Sequence, residues 1–236
     1  EKLIINERHE AWGSLARKLA HEIKNPLTPI QLTIDRLKNK YSDQLKDSDS
    51  ENYKDNLKII NNQIKQIEKL VNEFSDFARM PKPIFRKNNL VNLIYENIKL
   101  LKELDNSIDI KFIKNFDEIF LESDKEQISR VFLNLIKNSI ESINQRSQNY
   151  SNFNKKIAIE LNEFDSHINV SIEDNGIGFS ELKNNIKDIL NPYFTTKKNG
   201  SGLGLSIVNK IVNDHNGKID FMPIKNGAKI NIIFIK

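Results

Sequence analysis

Cysteine is absent from all 236 residues. That excludes a disulfide framework and any thiolate metal site, and it fits a reducing compartment. Long apolar runs are absent too: none approaches the roughly 18–20 residues that a membrane-spanning helix needs. An excess of one charge is also lacking. The 36 Lys and Arg are interleaved with 32 Asp and Glu, leaving a net charge of +4. Such a balance describes a mixed solvated surface rather than a track for nucleic acid, and no nucleic-acid partner is expected. The first residues, Glu1-Lys2-Leu3-Ile4-Ile5-Asn6, carry no signal-peptide pattern and read as the cut end of a longer protein. Internal repeats are missing as well. With 38% hydrophobic and 29% charged residues, the chain has material for one large or two small globular domains.

What is present is periodic. Trp12, Ala16, Leu19, Ile23, Leu27, Ile30, Ile34, Leu37 and Tyr41 recur at steps of three and four. They predict an amphipathic helix over about residues 7–41. Ser42-Asp43 and then Asp47-Ser48-Asp49-Ser50 supply turn and N-cap chemistry. A second helix should follow to Ala78, with Leu57, Ile60, Ile64, Ile67, Val71 and Phe74 at the alternating steps of a coiled-coil seam. Two long helices with such seams do not bury them in one hairpin, so a four-helix bundle of two copies is the expected assembly. Met80-Pro81-Lys82-Pro83 ends the second helix as a short stiff linker. The expected organisation is a helical hairpin over 1–80, a linker over 81–84 and a second domain over 85–236.

Beyond the linker the period changes. Leu90 to Leu104 reads as a helix, and Ile108, Ile110 and Phe112 alternate as in a strand, with another short strand at Ile119 to Leu121. Asp124 with Gln127 makes a capping box for a helix to about Asn144. Ile157, Ile159 and Leu161, then Ile168, Val170 and Ile172, mark two half-buried strands. A helix from Leu203 to Asp214 ends near Asn216-Gly217, and Ala228, Ile230, Ile232 and Phe234 alternate again. These elements predict an α+β layer domain, helices on one face of a sheet with antiparallel-type alternation.

Five clusters carry chemistry. In Leu19 to Ile30, His21 lies off the apolar stripe, Glu22 is its neighbour, and Asn25 shares its face at i+4. Pro26 and Pro29 each remove a helical N–H and free the carbonyls of Glu22 and Asn25. Asn134, Asn138 and Glu141 share one face of the capped helix, away from its apolar stripe. Asp174-Asn175-Gly176-Ile177-Gly178 follows a strand, and its glycines let backbone approach a flat ligand. Asn191-Pro192-Tyr193-Phe194-Thr195-Thr196-Lys197 comes next. Finally, Gly200-Ser201-Gly202-Leu203-Gly204-Leu205 opens a helix, where successive backbone N–H groups suit a polyphosphate. It lacks the Gly-Lys-Ser/Thr ending of a Walker A loop and the glycine spacing of a dinucleotide fingerprint.

In this order the clusters resemble the H box, N box, D-x-G-x-G, F box and G-x-G-x-G of the sensor histidine kinases of two-component systems. Ala11-Trp12, His21 to Ile30 and Phe74 to Pro83 are most similar to the NtrY-type kinases of nitrogen regulation. The resemblance implies an all-α dimerisation and phosphoacceptor hairpin followed by a Bergerat-type (GHKL) α+β ATP-binding sandwich. It implies ATP and Mg²⁺ as cofactors, His21 as phosphoacceptor, Glu22 as its base or orienter, and Asn25 as the residue of an E-x-x-N phosphatase pattern. It places Asn134 and Asn138 at the phosphates, with Asn138 ligating Mg²⁺, a suitable use of a hard amide oxygen. Asp174 would accept from the adenine amino group, with Gly176 and Gly178 beside it. Phe194, Thr196 and Lys197 would belong to the ATP lid, and Gly200, Gly202, Gly204 and Leu205 to the phosphate loop. The implied partners are a second copy of the chain and an NtrX-like response-regulator receiver domain. The implied location is cytoplasmic, on a parent protein anchored in the inner membrane. Where hydrolytic Bergerat ATPases have a water-activating Glu this chain has Asn134, which disfavours an ATPase machine; a non-catalytic scaffold is disfavoured because every motif residue is present. Ser139 and Ser142 depart from the family, which usually has Ala at both positions; being small, they are expected to leave the site undisturbed.

Overall fold

The computed structural model describes residues 2–41, 47–78, 80–148, 150, 153–179, 186–197 and 200–236, and side chains from residue 19 onward except at 21, 47–50, 77–78, 104 and 186–187. The chain divides into two compact units, one built on the first two helices and the other on all remaining elements. Among the described residues no helix is long and apolar enough to cross a membrane.

The first unit is a hairpin of α1 (Lys2–Tyr41) and α2 (Asp47–Ala78). α1 starts upstream of the expected Glu7 and continues through both prolines. Asp47 to Ser50, expected as cap and turn, form the first turn of α2 instead. The apolar stripe splits into two seams. Ala20, Leu27 and Ile34 on α1, and Leu57, Ile64 and Val71 on α2, recur every seven residues and are buried. Leu27, Ile34, Leu57 and Ile64 form one cluster with Tyr53 packed against it. Gln31 donates to the side chain of Asn61 at 3.0 Å and pins the register of the pair. The other seam, Leu19, Ile23, Ile30, Leu37, Ile60 and Ile67, is left 38–45% exposed. A hairpin has one inner face, so it covers one seam and leaves the second for a partner.

The second unit opens with β1 (Arg86–Asn89), a strand without an apolar residue, paired antiparallel with β3 (Phe120–Ser123). α3 (Leu90–Leu104) lies between them in sequence, with Asn89 capping it by accepting from the Val91 N–H. The main sheet has the order β2-β4-β5-β7-β6, from β2 (Asp109–Lys114), β4 (Lys156–Glu163), β5 (His167–Asp174), β6 (Gly217–Ile224) and β7 (Gly227–Ile235). All pairs are antiparallel except β2 with β4, which is parallel. The parallel pair follows from the connection, since β2 and β4 are joined by the long crossover through β3 and α4. The register brings Ile159 opposite Ile172, Leu161 opposite Val170, and Val170 opposite Ile232, so one face of the sheet is a continuous apolar surface. α4 (Lys125–Ser147) buries Ile128, Val131, Phe132, Leu135, Ile136 and Ile143, and α5 (Gly204–Asp214) buries Ile207, Val208, Ile211 and Val212. Asp124 caps α4, its carboxylate accepting from the Glu126 and Gln127 N–H groups.

Candidate nucleotide and phosphoacceptor sites

On the hairpin, α1 carries His21, Glu22 and Asn25 in helical conformation. The His21 side chain lies outside the described residues, while Glu22 and Asn25 are exposed. Ala20 and Leu27, both in the inner seam, hold this stretch of α1 against its own chain.

In the second unit, α4 and the end of β5 form one constellation. Asn134, Asn138 and Glu141 lie on α4 as expected from their spacing, with Asn134 and Asn138 half-buried. The Asn134 amide N–H donates back to the Arg130 carbonyl at 2.9 Å. Its oxygen would stand 3.5 Å from a Cβ placed on Gly204, the first residue of α5. Gly204 and Leu205 therefore open α5 beside Asn134 on the polar face of α4.

Asp174 ends β5 and is only 5% exposed. Its carboxylate accepts from the Gly176 N–H at 2.8 Å and from the Ser139 hydroxyl at 3.0 Å. Burial pushes the Asp174 carboxyl above the usual aspartate range, opposed by the Gly176 N–H, the Ser139 hydroxyl and the Ala228 N–H. Gly176 is required by packing: a Cβ there would run into the Ser142 hydroxyl and lie 2.6 Å from the Ser142 carbonyl carbon and 2.7 Å from the Ile143 nitrogen. Gly178 adopts φ 69°, and a Cβ on it would strike the Gly227 carbonyl.

The turn is held by residues that sequence reasoning did not assign. Ser142 accepts the Ile177 N–H at 3.1 Å. Arg146 donates to the carbonyls of Asn175 and Gly176 at 3.0 and 3.1 Å and to the Asn226 side chain at 3.2 Å. Asn175 bonds the backbone of Lys156 and Asn154. Gly227, at φ 140°, lets the β6–β7 turn lie directly on the backbone of Asp174. Ser139 and Ser142 are thus not silent departures, since each hydroxyl bonds the Asp174–Gly178 turn. Their place among the helix face residues was legible; their partners, 35 residues away in sequence, were not.

The segment after the 3₁₀ turn Ile186–Leu190 is exposed throughout residues 191–197. Phe194 is surface rather than core, and Thr196 and Lys197 are exposed near it in sequence. Tyr193 adopts φ 69°, an uncommon conformation for a non-glycine residue. Farther on, the Gly200 N–H donates to the Lys197 carbonyl at 3.2 Å and Gly202 takes φ 70°.

Among the described residues no three His, Asp or Glu side chains converge as a metal cage. The half-buried Asn138 amide on the polar face of α4 fits a Mg²⁺ ion held mainly by nucleotide phosphates and water, for which one hard oxygen from the protein suffices.

The chain is thus a helical hairpin carrying His21, Glu22 and Asn25 on α1, followed by a mixed α/β unit with a buried carboxylate at one end of its sheet. Residues 11–83 match the His Kinase A (phospho-acceptor) domain, and residues 123–236 match the histidine kinase-, DNA gyrase B- and HSP90-like ATPase family. The chain belongs to the histidine kinase family. Within it, the chain is 40% identical over 98% of its length to a sensor histidine kinase NtrY-like protein of Rickettsia felis, of which it covers 37%. It is similar to the catalytic domain of the histidine kinase ThkA, with 33% identity and a TM-score of 0.55 over 65% of this chain and 96% of that one. A structure of ThkA in complex with the response regulator protein TrrA matches 98% of this chain and 64% of that one, with 29% identity and a TM-score of 0.66. The chain spans little more than a third of the length of its NtrY-like relative.

Proposed function

We propose that this chain is the kinase core of an NtrY-type sensor histidine kinase, which phosphorylates itself on His21 from ATP and passes the phosphoryl group to an aspartate of a response regulator. The observation that carries the reading is Asp174: a buried carboxylate that accepts from the Gly176 N–H and the Ser139 hydroxyl, placed at the sheet end beside the amide face of α4. A buried acceptor of this kind suits the amino group of adenine.

In this reading Asn134, Asn138, Gly204 and Leu205 hold the phosphates, and Gly176 and Gly178 let backbone meet the base. Phe194, Thr196, Lys197, Gly200 and Gly202 cover the triphosphate. Asn138 would hold Mg²⁺ together with the phosphates, and the ion would supply neutralisation of the charge on the transferring group. A ring nitrogen of His21 attacks the γ-phosphorus in line, the bond to the bridging oxygen breaks, and Glu22 receives or orients the ring proton. Positioning carries most of the rate, since the reaction needs little other help from side chains. Asn25, exposed one turn from His21, would orient water toward an aspartyl phosphate and make the protein a phosphatase of its regulator as well. The functional division is a hairpin over 1–80, a linker over 81–84 and an ATP-binding domain over 85–236. The active form is a homodimer through the exposed seam, its regulator is NtrX-like, and the parent protein is held at the inner membrane with this part in the cytoplasm. ThkA's complex with the response regulator protein TrrA supports a response regulator as acceptor.

Incubation with ATP labelled in the γ-phosphate tests the proposal. Label on the protein that is lost in acid and stable in base identifies phosphohistidine; release of free phosphate without protein label would make the chain an ATPase instead.

A further inference from the structure

Ser139 stands on the buried side of α4, 2% exposed, and donates to one oxygen of Asp174 while the Gly176 N–H donates to the other. Both oxygens are therefore held as acceptors inside the protein. A carboxylate in that state accepts from a 6-amino purine and faces a 6-oxo purine acceptor to acceptor. A protonated carboxyl would donate to the 6-oxo group and lose this discrimination.

We propose that Ser139 is a specificity-determining positioning residue: its hydroxyl keeps Asp174 an acceptor on both oxygens, so that the site selects 6-amino over 6-oxo purine nucleotides. The inference rests on the reading of Asp174 as the adenine contact. Burial favours the protonated form of Asp174, and the hydroxyl opposes it directly. The charged groups near the carboxyl are Glu173 on its own strand, Lys229 of β7 paired with Glu173 at 3.4 Å, Asp109 and Lys111 of β2 and Lys156 of β4 lining the same cavity, and Arg146 of α4 on the turn carbonyls. Ser142, one turn along α4, provides the contrast. Its oxygen accepts from the Ile177 N–H and so holds the turn rather than the carboxyl.

The test compares equilibrium binding of ATP and inosine triphosphate to the whole chain between about pH 5.5 and 8, for the wild type, Ser139→Ala, Ser142→Ala and Asp174→Asn. Ala is a better helix former than Ser, so α4 is preserved in both serine variants. Ser139→Ala should lower the ATP to inosine triphosphate preference about three- to tenfold at neutral pH, within the span of one net hydrogen bond. Its preference should also begin to fall at a higher pH than that of the wild type. Ser142→Ala should weaken both nucleotides alike. An unchanged preference in Ser139→Ala across the pH range, or an equal loss of preference in Ser142→Ala, overturns the role of Ser139. Asp174→Asn separates the two levels. A preference unchanged in that variant removes the adenine reading itself, whereas one lost there and kept in Ser139→Ala removes the serine alone.

Discussion

At the scale of the residue, His21 and Asp174 are separate in both chain and unit, and their substitutions should separate function. His21→Ala is expected to abolish acid-labile label while nucleotide affinity stays near wild type, as read by γ-phosphate labelling beside equilibrium binding. Asp174→Asn should lose about 1–3 kcal/mol of ATP binding, the range for a hydrogen bond left unmade. The same substitution should raise the melting temperature of the nucleotide-free protein at neutral pH. Burial lifts the folded pKa of Asp174 above its unfolded value, so its contribution to stability is fully present below the unfolded pKa and is lost as pH rises through the folded one. A neutral isostere escapes that loss. A melting temperature below wild type at pH 7, with no gain on acidification of the wild type, would contradict it. Asn25→Ala should keep much of the autokinase activity and slow dephosphorylation of the regulator; equal loss of both activities with a lowered melting temperature would make Asn25 structural.

At the scale of the element, periodicity sufficed where one face of a helix or strand is buried. α3 was legible from Leu90 to Leu104 because its stripe is complete, and β5 and β7 because their alternation is strict. β1 escaped because Arg86-Lys87-Asn88-Asn89 has no apolar residue, its existence resting on backbone pairing with β3. β6 escaped because it is an edge strand whose side chains are mostly half-buried or exposed, and it contains Pro223. The candidate site followed the same division. Asp174, Asn138 and the glycines were legible as motifs, whereas Ser139, Ser142, Arg146 and Gly227 act through partners distant in sequence. Asp124 ties several elements together at once. Burial alone would raise its pKa, but the N–H groups of Ile84, Gln127 and Glu126, with His215 nearby, outweigh it and hold it below the usual range. Its stabilisation is full above the unfolded pKa of about 3.9 and is lost as pH falls through the lower folded value. Asp124→Asn keeps a capping oxygen, so it should flatten the acid side of a stability-against-pH curve measured by urea unfolding, while Asp124→Ala should cost about 1 kcal/mol at neutral pH as well.

At the scale of the whole molecule, the homodimer proposed above predicts that the exposed seam of the hairpin is its interface. Ile30→Glu combined with Ile60→Glu should give a monomer by sedimentation that still binds ATP, because neither position belongs to the nucleotide-binding unit; a dimer persisting at micromolar concentration would place the interface elsewhere. The backbone contact between Gly227 and Asp174 bears on the order in which the protein can be made. Gly227→Ala would force a Cβ into the Asp174 carbonyl, 2.8 Å from its carbon and 2.9 Å from Cα of Asn175. Nucleotide binding should therefore fall more than tenfold in that variant, a loss of at least about 1.4 kcal/mol. Gly227 begins β7, so the turn at Asp174 gains this support only when β7 has left the ribosome and paired with β5. A growing chain completes the hairpin of α1 and α2 before the turn at Asp174 has that support. A chain cut short of β7 should therefore bind ATP weakly, whatever the state of its hairpin.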